Sequence, residues 1–163
     1  GLLLLVYALS SWTGALQGHS DPLRPLNGPV AAATPSATGE QSAWQTIRTP
    51  SELTQALASA KTAGQPLLLD WYADWCISCK VIEREVLTAP AVTAQLGNYR
   101  LIRFDMTESN AEQRALLDHY QLFGPPALLL FAGNGDEHQA LRVIGEINAE
   151  DFAARLRQAN ARN

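Results

Sequence analysis

Cysteine is scarce in this chain: among 163 residues only Cys76 and Cys79 occur, with two residues between them. Two thiolates cannot complete a four-cysteine zinc site, and one local pair cannot staple a fold together. Covalent heme attachment is excluded as well, because Lys80 follows the second cysteine where a histidine is needed, and His19, His119 and His138 stand elsewhere. Positive charge is also in deficit. Twelve Lys and Arg against sixteen Asp and Glu leave a net charge of -4, which provides no basic face for nucleic acid. Thiol redox chemistry remains, or else a static local bridge.

A third absence lies at the start. The first twenty residues contain no Asp, Glu, Lys or Arg, and positions 2–9 read LLLLVYAL. The apolar run to Leu16 is shorter than the roughly 20 residues of a spanning helix, and Gly1 is preceded by neither Met nor a basic segment. Residues 1–18 are therefore read as the outer end of a transmembrane helix, with Trp12 near the interface. A truncated signal peptide or a buried core helix also fits this pattern. Residues 19–43 then hold Pro22, Pro25, Pro29 and Pro35 among Gly, Ala, Ser and Thr, the composition of a flexible linker.

From residue 44 to 163, helical and strand-like segments alternate, which argues for one layered α/β domain. Residues 44–47 suit a short first strand. Thr49-Pro50-Ser51-Glu52 is a capping box, and Gly64 closes the helix it starts. Leu67–Tyr72 is expected to be a central strand buried on both faces. Helical spacing of Ile77, Val81, Ile82 and Val86 predicts a helix over 76–87, ended or kinked by Pro90. Residues 100–106 suit a further strand, and Ser109-Asn110-Ala111-Glu112 repeats the capping pattern ahead of a helix to about Tyr120. Segments 127–132 and 141–145 flank Gly133-Asn134-Gly135-Asp136 as a hairpin would, and a last helix follows Asn148 with Phe152 and Leu156 inward.

The chemistry concentrates at WYADWCISCK. A thiol exchanges with a disulfide as its thiolate, so a redox cysteine needs surroundings that favour negative charge. At a helix start, Cys76 meets unpaired N–H groups and the positive end of the dipole, which should bring its pKa below the free value of about 8.5. Cys79, one turn later, is expected to be deeper, so that Cys76 attacks a partner and Cys79 resolves the mixed disulfide. Asp70 stands in the middle of the apolar LLLDWY, where a lone buried carboxylate would hold its proton tightly and exchange it with Cys79. Glu83, four residues after Cys79, lies on the same helix face. Solvent-facing positions are the competing reading for both acids. Trp75 is expected to form an apolar rim for docking. Pro125-Pro126 invites a cis bond in a loop that could present backbone to an extended partner, although a plain turn is the simpler reading.

These residues resemble the thioredoxin superfamily over roughly residues 44–157. The stretch LLLDWYADWCISCK is similar, more narrowly, to the C-terminal periplasmic domains of membrane thiol:disulfide interchange proteins. That resemblance implies a thioredoxin fold with a mixed sheet flanked by helices, and protein-disulfide reductase activity in the periplasm beside the bacterial inner membrane. It implies Cys76 and Cys79 as the redox pair, Asp70 and Glu83 as the acids beside it, and Pro126 as the cis-proline. Electrons would come from the protein's own membrane domain and pass to its N-terminal periplasmic domain. Disulfide isomerases and cytochrome c maturation thioredoxins would lie downstream. The cysteines carry the electrons, so no metal, flavin or nicotinamide is implied. Ile77-Ser78 departs from the commoner dipeptide, and Pro125 removes a backbone N–H usual at that place. A stand-alone membrane-anchored reductase of cytochrome c maturation and a binding module with a static bridge are the alternatives.

Overall fold

A short strand, β1 (Gln45–Ile47), and a helix, α1 (Pro50–Thr62), begin the fold and meet at a capping box. The structure, a computed structural model, describes residues 44–162, so the membrane segment and linker expected over 1–43 lie outside the described residues. Thr49 Oγ1 accepts the Glu52 N–H at 3.3 Å, and Glu52 Oε2 accepts the Thr49 N–H at 2.9 Å. Two N–H groups that a helix start leaves unpaired are thus satisfied. Thr49→Ala is expected to cost about 1 kcal/mol, seen as a lower urea midpoint at unchanged slope.

Strand β2 (Leu67–Tyr72) lies at the centre of a five-stranded sheet of order β1-β3-β2-β4-β5, completed by β3 (Arg100–Asp105), β4 (Ala127–Phe131) and β5 (Val143–Ile144). Strands β1, β3 and β2 run parallel, while β4 and β5 pair antiparallel, which makes the sheet mixed as expected. Side chains alternate across a strand, so β2 feeds two cores. Leu67, Leu69 and Trp71 join Leu53, Ala56 and Ala60 of α1 on one side. Leu68 joins Ile82, Val86, Phe152 and Leu156 on the other. A run of apolar residues with no alternation is what a strand covered on both faces requires.

Helix α2 (Ile77–Val81) sends Cys79 into the first core and continues as a π turn (Ile82–Val86), which lies behind the second core with α3 (Pro90–Thr93) and α5 (Ala149–Asn160). Helix α4 (Ala111–Tyr120) lies on the other side, where Leu117 enters the first core. Among the described residues, no helix is long and apolar enough to cross a membrane.

Three local expectations change. Pro90 opens α3 at its first turn, where its missing N–H costs nothing. The cap of α4 is Asn110 with Gln113, one residue later than the Ser109 pattern, and Ser109 takes φ 50° just before it. Strands β4 and β5 pair antiparallel about a turn in which the Gly135 N–H reaches the Ala132 carbonyl at 2.9 Å, as a hairpin requires, but the return to β5 is longer than expected, through a lone bridge from Phe131 to Glu137 and a 3-10 turn at Gln139–Leu141. Gly133 has a further reason to be glycine, since a Cβ there would lie 2.4 Å from the Gly64 carbonyl oxygen.

Candidate active site

Strand β2 ends at Tyr72, and three residues, Ala73 to Trp75, carry the chain to Cys76, the N-cap of α2. This turn is held from below by the segment after β3. Thr107 Oγ1 accepts the Asp74 N–H at 2.9 Å, and the Thr107 carbonyl accepts Trp75 Nε1–H at 3.1 Å. Thr107 in turn donates both its N–H and its hydroxyl to Asp105. Burial pushes the Asp105 carboxyl up, but those hydrogen bonds and Arg48 outweigh it and hold the group below its ordinary range.

Cys76 and Cys79 form a disulfide with their Cα atoms 5.3 Å apart. The Cys79 N–H points at Cys76 Sγ, 3.1 Å away, so a helix-start N–H is directed at the first sulfur. Cys79 Sγ lies 3.9 Å from the Trp71 carbonyl oxygen, against the end of β2. Both residues are largely covered, Cys76 at 6% exposure and Cys79 at 3%, in the order expected from their places on the helix. The residues on either side of Cys76 are apolar and exposed: Trp75 is 57% exposed and Ile77 80%.

Asp70 is buried on the central strand, not turned to solvent from an edge. Nor is it a lone charge. The parallel register sets Arg103 beside it, with Arg103 Nε 2.9 Å from Asp70 Oδ2, and Arg103 Nη1 reaches Glu83 Oε1 at 2.8 Å. The two acids predicted to act near the cysteines are therefore brought together through a cation that was not predicted. Burial pushes Asp70 up to about 6, against the pull of Arg103, and the charge of Glu83 adds to the rise. Asp74 and Lys80 are exposed.

The Pro125–Pro126 peptide bond is cis. The Pro126 carbonyl accepts the Gly145 N–H at 2.9 Å, and the next residue, Glu146, accepts the Ser78 hydroxyl at 2.7 Å. Loop and redox helix are thereby joined through residues 145–146. Arg103, Thr107 and Glu146 escaped prediction. Arg103 alone carried a readable signal: a cation within the apolar RLIRFD mirrors the acid within LLLDWY. Among the described residues, no group of three or more His, Cys, Asp or Glu is placed to hold a metal ion.

A family model described as thioredoxin-like matches residues 46–133, which takes in β1 through the end of β4 and both cysteines. The chain belongs to the thioredoxin-like family. The chain is 61% identical over 165 aligned positions to the thiol:disulfide interchange protein DsbD 1 of Pseudomonas aeruginosa, covering 99% of this chain and 27% of that protein. It is 40% identical over 136 residues to DsbD of Escherichia coli, covering 83% of this chain and 24% of that protein. The chain thus spans about a quarter of the length of these relatives. Among solved structures, the oxidised C-terminal domain of Neisseria meningitidis DsbD superposes with a TM-score of 0.61 at 29% identity, covering 71% of this chain and 99% of that domain. The thioredoxin-like domain is accordingly homologous to the C-terminal domain of DsbD, and its C-x-x-C pair suits dithiol–disulfide exchange.

Proposed function

We propose that this chain is the exchange domain of a membrane thiol:disulfide reductase, which relays electrons from a membrane domain to disulfides of periplasmic proteins. The observation that carries this reading is the Cys76–Cys79 disulfide at the start of α2, with a helix-start N–H directed at Cys76 Sγ. In the reduced domain, the same N–H would stabilise a Cys76 thiolate. That thiolate attacks a partner disulfide and forms a mixed disulfide, releasing one partner sulfur. Cys79 then attacks Cys76 Sγ, which closes the internal bridge and frees the second partner sulfur as a thiol. No other electron carrier is needed, because the cysteine pair itself is oxidised as the partner is reduced.

Asp70 and Glu83 are assigned to proton transfer during resolution. Since Arg103 compensates Asp70, the cost of burying the acid no longer argues for this role by itself. What supports it is a carboxyl that titrates at about 6, close enough to neutrality to give and take a proton. Trp75, Pro125 and Pro126 are assigned to partner docking. Residues 1–18 serve as the end of a membrane helix and 19–43 as its tether, which keeps the domain in the periplasm beside the inner membrane. The protein's own membrane domain would supply electrons, and its N-terminal periplasmic domain would receive them. Disulfide isomerases and cytochrome c maturation thioredoxins are the proposed recipients downstream.

Cys79→Ser tests the reading in cells. Without the resolving thiol, Cys76 is expected to hold its partner covalently, giving a higher band on a non-reducing gel that collapses with dithiothreitol. No trapped species, together with a wild-type disulfide that resists dithiothreitol, would leave only the static bridge.

A further inference from the structure

Ser78 stands between the two cysteines on the first turn of α2, and its hydroxyl is used differently from those of the other helices. Thr54 and Thr62 in α1 each donate to the carbonyl four residues back in their own helix. The Ser78 hydroxyl leaves its helix and donates to Glu146 Oε1 at 2.7 Å, 68 residues away in the chain. A bend in the backbone delivers Glu146 to it. Gly145 takes φ 87°, which disfavours any side chain, although a Cβ there would meet nothing within 4 Å. This glycine therefore serves the turn and not close packing. Within the turn the Gly145 N–H donates to the Pro126 carbonyl at 2.9 Å, one step beyond the Ala127–Ile144 pair of β4 and β5. On the other side of Glu146, Ile147 packs against the second core and Asn148 caps α5 by accepting the Asp151 N–H at 2.9 Å. Glu146 is thus held between a strand end and a helix start.

Resting on the exchange reading above, we propose that Glu146 is a positioning residue of the reaction: with Ser78 it clamps the first turn of α2 to the Pro126 loop, so that an extended protein substrate meets the Cys76 sulfur and the loop backbone in one fixed arrangement. The loop has few other ways to be fastened. Neither Pro125 nor Pro126 has an N–H to donate, and the Pro126 carbonyl is used on Gly145. From that carbonyl the connection runs through Gly145 to the neighbouring Glu146, and from its carboxylate to the residue before Cys79. The acceptor is charged, which strengthens the bond that closes the clamp. Cys76 Sγ is set by the same turn, because the Cys79 N–H points at it. A substrate that touches only the sulfur does not feel the clamp. One that also lies along the loop must order the two parts as it binds when the clamp is open, and that ordering weakens its binding.

Two substrates with the same coloured leaving thiolate separate these cases. One is a small symmetrical aromatic disulfide; the other is a short extended peptide whose single cysteine is joined to the same aromatic thiol. In both, the reduced chain's Cys76 thiolate displaces the coloured thiolate, and the rate is followed against substrate concentration. For the peptide, Glu146→Ala and Ser78→Ala are each expected to raise the half-saturating concentration about fivefold, the weight of one hydrogen bond to a charged acceptor in a partly solvated place. The small disulfide should react with both variants as it does with the wild type. The double variant should be no worse than either single one, because one bond joins the two residues. Glu146→Gln, which keeps an oxygen to accept the hydroxyl, should recover most of the peptide binding. Equal slowing of both substrates overturns the role, as do peptide kinetics that match the wild type or losses that add in the double variant. If circular dichroism shows Glu146→Ala to be unfolded, Ser78→Ala decides in the same way. A reduced wild type that releases no coloured thiolate from either substrate would instead sink the exchange reading itself.

Discussion

Cys76→Ser is expected to abolish disulfide reduction by this chain, whereas Cys79→Ser should retain the first attack and lose turnover. The asymmetry follows from position on one helix. Cys76 is the N-cap of α2, so its sulfur accepts the Cys79 N–H and sits at the end of the helix where negative charge is favoured. Cys79 Sγ faces the Trp71 carbonyl, an oxygen that would disfavour a thiolate there. Exposed Trp75 and Ile77 flank Cys76 on both sides, giving an incoming disulfide an apolar surface next to the more accessible sulfur. A serine hydroxyl cannot take the place of a thiolate in exchange, so the loss should be complete in a turbidity assay of insulin reduction. Turnover by Cys76→Ser comparable with that of the wild type would reverse the assigned roles.

The largest stability loss is expected from Trp71→Ala, about 3–5 kcal/mol. Trp71 is fully buried, with ring centroids 4.9 Å from Phe104 and 5.6 Å from Tyr120, so its removal leaves a hole between β2, β3 and α4. Thermal unfolding should show a fall of about 10 °C or more. Trp71→Phe should cost far less, since it keeps a ring in the site and deletes an indole N–H that has no hydrogen-bond partner among the described residues. Equal losses in the two variants would mean that the indole shape, not aromatic bulk, holds this junction. Because the Trp71 carbonyl also faces Cys79, the alanine variant should blur the site as the core loosens.

The two cysteines, their pairing at a helix start and the element order could be read because each rests on local rules. A C-x-x-C pair at a helix start, a capping box at Thr49 and the unbroken apolar run of β2 declare themselves within a few residues. The misreadings also have local causes. Ser109 and Asn110 are both good caps, and only the left-handed turn at Ser109 and the bond from Gln113 choose between them. Gly133 does stand in the turn its neighbours predict, and its lack of a side chain answers as well to the Gly64 carbonyl of a distant loop, which no local reading could show.

By itself, then, the sequence determined the thiol pair at the start of α2, the mixed α/β order that presents it, and the presence of an acid where a strand should be apolar. What that acid does was decided only in three dimensions. Asp70 and Arg103 are 33 residues apart and meet through the register of β2 on β3, while Glu83 reaches the same cation through a π turn. Register and helix winding depend on how whole elements pack, and no short window of sequence contains that information. The tertiary structure therefore turned a lone buried carboxylate into one member of a three-residue charged unit.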